Sequence, residues 1–300
     1  AVLYPLVKLV SPESDELTGR ITIGPSFYNH YMSPVGLALL FLTGVGPLVA
    51  WRKTTGEALA KQFLGPLGGG LGAMALAAVA VPELRGVGAE GMSISGLLCF
   101  GLCGFTFWTI AQEFQRGVKV RKKHRPQGVL EALIGLMTKA RRRYGGYVVH
   151  LGIVLMFFGF AGNAYKLERK LVMLPGETVE LGDYRIRHDG VLATQDFQKD
   201  MLTVKLTVLD EAGNELSELT PAKWWYYQLK DQPTTEASRY MALEGDVYAS
   251  FADVKVSTGW TRLNLYYNPL VNWVWVGFAV LLAGGIICIG TRKGDAEGAQ

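Results

Sequence analysis

Five apolar runs punctuate the chain, at 35–51, 67–81, 93–111, 147–164 and 269–290. Each approaches the ~20 residues that a helix needs to cross a bilayer core. The second is short and glycine-rich, and Gly65, Gly68, Gly69, Gly70 and Gly72 suit close helix packing better than lipid exposure. Between the fourth and fifth runs the pattern changes from continuous to alternating. Leu202, Val204, Leu206 and Val208 interleave with Thr203, Lys205 and Thr207, and the sequence from Glu211 to Asn214 supplies a turn. Tyr184 and Ile186 alternate with Arg185 and Arg187 ahead of the turn-prone pair Asp189-Gly190, and Phe251, Val254 and Val256 suggest a later strand. A segment of about 100 residues can bury a modest core, so a compact β-domain is expected, tethered by helices at both ends.

Charge orients these elements. Arg52, Lys53 and Lys61 follow the first run, Arg292 and Lys293 follow the last, and the stretch after the third carries ten lysines and arginines from Arg116 to Arg143. If every run crosses, all three clusters fall on one face, which the positive-inside rule makes cytoplasmic. That accounts for the charges without nucleic acid. The expected fold is a polytopic α-helical membrane protein with an extracytoplasmic all-β domain inserted before the last span. Residues 1–31 read as the end of a preceding span and an external segment, 32–164 as membrane helices with a basic cytoplasmic loop at 115–143, and 165–268 as the β-domain. Residues 269–290 form the final span and 291–300 a cytoplasmic tail. The opening Ala1-Val-Leu-Tyr-Pro-Leu-Val lacks an initiator methionine, a basic leader and a cleavage pattern. It reads as the exit of an earlier span, and the chain as a fragment or one product of a split gene. Composition agrees with a membrane protein bearing a soluble part: 49% hydrophobic, 19% charged, 37 glycines and a mean hydropathy of +0.19.

His150 stands out inside the fourth run, which continues from Ile153 to Ala161 without a charge. An imidazole in hydrocarbon costs free energy unless partnered, so it marks either a metal ligand or a packing histidine bonded to a neighbouring helix. His30 lies among aromatics at the outer boundary, where an external ligand and an interfacial aromatic belt are both readings. His124 in the basic stretch reads as solvated and His188 as structural. Cys99, Cys103 and Cys288 fall in apolar runs with no CxxC pair. Cys99 and Cys103 sit one helical turn apart, more in keeping with buried thiols than with a metal site.

The segment Tyr144-Gly-Gly-Tyr-Val-Val-His-Leu-Gly152 resembles the transmembrane histidine signature of CcmF-type proteins, the haem lyase subunit of cytochrome c maturation. The resemblance continues in order along the chain. It takes in Leu3-Tyr-Pro-Leu6, Gly24-Pro-Ser-Phe-Tyr-Asn29 and Gly44-Val-Gly-Pro-Leu48 with Trp51. Further on come Pro221 and Lys223 with Tyr226 or Tyr227, then Thr234-Thr-Glu-Ala237 and Asp246-Val-Tyr248. It ends on Asn268-Pro-Leu-Val-Asn-Trp-Val-Trp275 and Gly284-Gly285.

The resemblance is to the carboxy-terminal part of that family. It implies that His150 is an axial ligand of a membrane-embedded haem b, with the opposing ligand and the tryptophan-rich haem-handling loop upstream. It also implies partners: the upstream half of the lyase, a haem chaperone, a thiol-reducing protein and apocytochrome c, beside membrane lipid, in a bacterial inner membrane with the large loop outside. Helix geometry accommodates the role. Gly146 lies one turn before His150, leaving room for a flat macrocycle, and Ile153, Val154 and Phe157 continue that face. A helix starting near Tyr144 would place His150 about 9 Å from the cytoplasmic end at ~1.5 Å per residue. Trp224, Trp225, Tyr226 and Tyr227 are candidate partner contacts on the β-domain or, because strand neighbours alternate faces, core residues. The reading from a different class is a non-catalytic membrane scaffold or transporter half that docks partners through its β-domain.

Overall fold

The computed structural model describes residues 25–49, 56–81, 92–124, 126–228 and 232–289. The readings for residues 1–24, for the basic residues Arg52, Lys53, Arg292 and Lys293, and for the tail lie outside them. Among the described residues, five helices precede the β-structure: α1 (Pro25–Val45), α2 (Gly56–Ala80), α3 (Met92–His124), α4 (Val129–Lys139) and α5 (Arg141–Ala161). A last helix, α6 (Asn272–Ile289), follows it. Among the described residues, four helices are long and apolar enough to cross a membrane, those containing Ala60–Ala80, Ile94–His124, Arg141–Tyr165 and Asn272–Ile289. The chain is a polytopic α-helical membrane protein carrying a β-domain before its last span.

Helix boundaries depart from the apolar runs for identifiable reasons. Helix α1 begins at Pro25, taking in residues assigned to an external segment, and ends at Val45 before Pro47. Pro47 lacks the N–H that would bond the Thr43 carbonyl, whereas Pro34 is accommodated inside the same helix. From His30 to Val45, α1 is apolar as well. Helix α3 continues through most of the basic stretch to His124, with Arg121, Lys122 and Lys123 in its last turn, where the helix dipole favours cations. The basic loop is thus largely helical.

The chain divides into two compact units, one comprising residues up to 80, 97–154 and from 281 onward, the other 81–96 and 155–280. In the first, glycine lets α2 and α3 approach backbone to backbone. A side chain at Gly70 would stand 2.9 Å from the Gly101 carbonyl, and one at Gly104 would collide with Ala73. Gly65 and Gly69 close on Trp108, whereas Gly68 and Gly72 face open space.

The second unit contains a ten-stranded antiparallel sandwich. One sheet runs β1 (Leu167–Met173), β10 (Trp260–Pro269), β9 (Gly245–Lys255), β8 (Ser238–Met241). The other runs β2 (Thr178–Leu181), β3 (Tyr184–Gln195), β4 (Lys199–Leu209), β6 (Ala222–Tyr226), β7 (Thr234–Glu236), with β5 (Glu215–Leu219) also paired to β4. The alternating residues Val204, Leu206 and Val208 meet Ile186, Val247, Phe251, Leu263 and Leu265 in the core. The Asp189-Gly190 pair does not turn the chain. It forms a bulge inside β3, the register against β4 shifting between His188 and Gly190, with Gly190 at φ +148°. Both ends of the sandwich meet: Leu167 pairs with Tyr267, and a side chain at Gly162 would collide with the Pro269 carbonyl.

Candidate functional site

Helix α5 presents three different surroundings within one turn. Tyr144 and Tyr147 pack on Phe114 of α3, with ring centroids 5.2 and 6.1 Å away. Gly145 faces α6, where an added Cβ would stand 2.7 Å from Cys288 Sγ and 3.1 Å from the Gly284 carbonyl. Reciprocally, a side chain at Gly284 would meet Val149. Gly146, by contrast, has nothing within 4 Å of where its Cβ would be.

One turn on, His150 is half-buried. The backbone of Thr43, near the end of α1, approaches its ring. The Thr43 carbonyl is available because its helical donor would be the N–H of residue 47, and Pro47 has none. His150 Nδ1 is buried and has no hydrogen-bond partner among the described residues. A buried ring nitrogen without a protein partner is what a metal-ligating imidazole presents. With the opening at Gly146, these residues fit one face of a flat, iron-bearing macrocycle. Of the face expected to continue it, Val154 is buried, and Ile153 and Phe157 are half-buried.

A polar cluster that the sequence reading passed over lies one turn from His150. Glu113 of α3, 3% exposed, accepts hydrogen bonds from Arg116 Nη1 at 2.8 Å, Arg143 Nη2 at 2.7 Å and the Tyr147 hydroxyl at 3.1 Å. Arg143 Nε also donates to the Tyr147 hydroxyl at 3.2 Å. A buried carboxylate survives in a membrane helix only when paired, and here two guanidiniums and a phenol do so. The signal was an isolated acid just past an apolar run, in a segment otherwise populated by bases.

The remaining candidates separate from this site. His30 is exposed, its ring edge-on to Tyr31, and His124 is exposed with Nδ1 2.8 Å from the Val120 carbonyl. His188 is fully buried in the sandwich, its Nε2 3.1 Å from Thr261 Oγ1. Cys99 and Cys103 are buried on α3, with Cys103 Sγ directed at the Val154 carbonyl at 3.6 Å. Among the described residues no group of three or more histidines, cysteines and carboxylates could hold a metal ion. Trp224, Trp225 and Tyr226 are only half-buried in β6 and stand apart from the sandwich core. The Lys199 ammonium lies 4.4 Å from the Trp224 ring centroid, and the Tyr227 hydroxyl donates to Asp200 Oδ1 at 3.0 Å.

Comparison with known proteins connects these features. Residues 164–269 match the family described as the CcmF C-terminal beta-sandwich. The cytochrome c-type biogenesis protein CcmF of Pseudomonas aeruginosa is 28% identical over 295 residues, covering 97% of this chain and 41% of that protein. Its namesake in Escherichia coli is 25% identical over 279 residues, covering 90% and 38%. A solved structure titled cytochrome c heme lyase CcmF superposes with a TM-score of 0.65 at 25% identity, covering 97% of this chain and 42% of that one. The chain thus spans about two fifths of the length of these relatives. Its resemblance is to the carboxy-terminal part of CcmF-type proteins, and it runs through helices and sandwich alike.

Proposed function

We propose that the chain is the carboxy-terminal part of a membrane haem lyase, that it binds haem b through His150, and that it helps deliver and attach haem to apocytochrome c. The observation that carries this reading is the leftover nitrogen of His150 beside the open position at Gly146, within a chain similar to CcmF along 97% of its length. His150 would serve as one axial ligand, Gly146 would admit the macrocycle, and Thr43 would hold the imidazole in orientation. Haem b bound there would supply one-electron chemistry, suited to keeping the delivered haem iron reduced. The second axial ligand and the haem-handling loop would come from the upstream half of the lyase. A haem chaperone, a thiol-reducing protein and apocytochrome c complete the partners in this reading.

Helix α5 begins with Arg141, Arg142 and Arg143 and runs into the first turn of the sandwich segment. The positive-inside rule then supports a periplasmic sandwich and a cytoplasmic basic face in a bacterial inner membrane. The test is the absorption spectrum of the purified full complex. His150→Ala should abolish the b-type bands or make them depend on added imidazole, with membrane insertion retained. Unchanged haem content and reduction potential would return His150 to helix packing, and a complex without b-type bands would favour the scaffold.

A further inference from the structure

The turn between β8 and β9 has the wrong surface for a loop in water. Met241 is 56% exposed and Leu243 is 65% exposed, and no described residue covers them. Their position in the fold gives the surface a use. Asn272, the first residue of α6, donates its side-chain amide to the Ala242 carbonyl at 2.6 Å and reaches the Gly245 carbonyl at 3.3 Å. The Leu270 N–H donates to the Glu244 carbonyl at 2.8 Å, and Leu270 itself holds φ at +60°, a left-handed conformation unusual for leucine. The turn is therefore fastened, by three hydrogen bonds, to the start of a helix apolar enough to cross a membrane.

The level of that helix start in the bilayer is marked independently. Trp273 and Trp275 occupy the first turn of α6, and Trp275 is 61% exposed. Tryptophan concentrates where hydrocarbon gives way to headgroups. A turn bonded to Asn272 shares that level, and two exposed apolar side chains there are more stable among acyl chains than in water.

We propose that the β8–β9 turn is a membrane-seated foot of the sandwich, with Met241 and Leu243 inserted into the lipid interface beside α6. The occupant is the bilayer itself, since the turn continues the surface that α6 already presents to it.

The experiment places an environment-sensitive fluorophore at position 243 of the full chain through Leu243→Cys. The protein is reconstituted in phosphatidylcholine and phosphatidylglycerol vesicles, and the chain without an added cysteine provides the background. Met241→Cys is the second reporter, and Phe197→Cys, at a residue 88% exposed in the β3–β4 hairpin, is the aqueous control. Labels at 241 and 243 should emit at shorter wavelength, lose intensity with brominated lipid and resist iodide, while the label at 197 should do the reverse. Quenching of 241 and 243 by iodide alone would overturn the proposal. Protection from iodide without quenching by brominated lipid would place protein there instead, and would overturn it as well. None of these readouts depends on haem, so the outcome is separate from that for His150.

Discussion

An added Cβ at Gly145 would press on Cys288 and the Gly284 carbonyl, whereas one at Gly146 would enter empty space. Neighbouring glycines therefore separate helix packing from the proposed haem face. Gly145→Leu should overpack the α5–α6 contact and cost about 1–3 kcal/mol, seen as a lower thermal midpoint of the detergent-solubilised protein. Gly146→Leu should leave that midpoint nearly unchanged and reduce the b-type absorption of the assembled complex. The opposite pattern would detach Gly146 from the site. Pro47 offers a subtler probe. Pro47→Ala restores an N–H that competes with His150 for the Thr43 carbonyl, so the reduction potential or band positions of a b-type centre should shift while haem is retained. Losses of an orienting partner typically reach about 10–100-fold in metal affinity or activity, and an unaltered spectrum and potential would show that Thr43 does not orient the ring.

Helices and strands were readable where a single periodicity governed them. The spans showed as apolar runs, and β4 showed as strict alternation from Leu202 to Val208. The turn expected at Asp189-Gly190 failed because glycine serves a bulge as well as a turn, and only pairing with β4 decides between them. Gly145 and Gly146 are identical in sequence, and what distinguishes them is a distant helix. Glu113 was obscured for the same reason, since its partners Arg143 and Tyr147 lie on α5. The bulge also leads to a prediction about β3. Burial holds the His188 imidazole below its usual pKa, partly opposed by the negative charges of Asp189 and Glu177. The folded sandwich thus keeps His188 neutral while the unfolded chain protonates below about pH 6.5, so stability is full above that pH and falls as pH drops toward the folded value. Sandwich unfolding followed by tryptophan fluorescence should have a lower midpoint at pH 5 than at pH 7.5, at about 4–8 °C per 1 kcal/mol lost. His188→Gln should flatten that dependence, and an equally steep profile in the variant would assign it to other groups.

For the whole molecule, the topology is open to a direct test. Cysteine introduced at Thr234, exposed on β7, should react with a membrane-impermeant reagent in intact cells, and cysteine at Thr138, exposed on α4, should not. The reverse pattern would invert the orientation. Dependence on the upstream half is testable by reconstituting residues 1–300 with haem and an apocytochrome c peptide. No covalent product is expected until the upstream half is supplied, and product from the chain alone would show that it needs no such half.

Where Gly162 abuts Pro269 and Leu167 pairs with Tyr267, the first and last residues of the sandwich are held side by side. In chain-statistical terms α5 and α6 act as a cross-link. Closing a loop of about 100 residues costs about 4 kcal/mol at (3/2)RT ln n, and a helix pair assembled in the membrane has already met that cost before a strand forms. A sandwich excised at these residues starts from an open chain and must close the loop itself, so it should be less stable than the tethered form by a sizeable part of that amount, with every contact in its core unchanged.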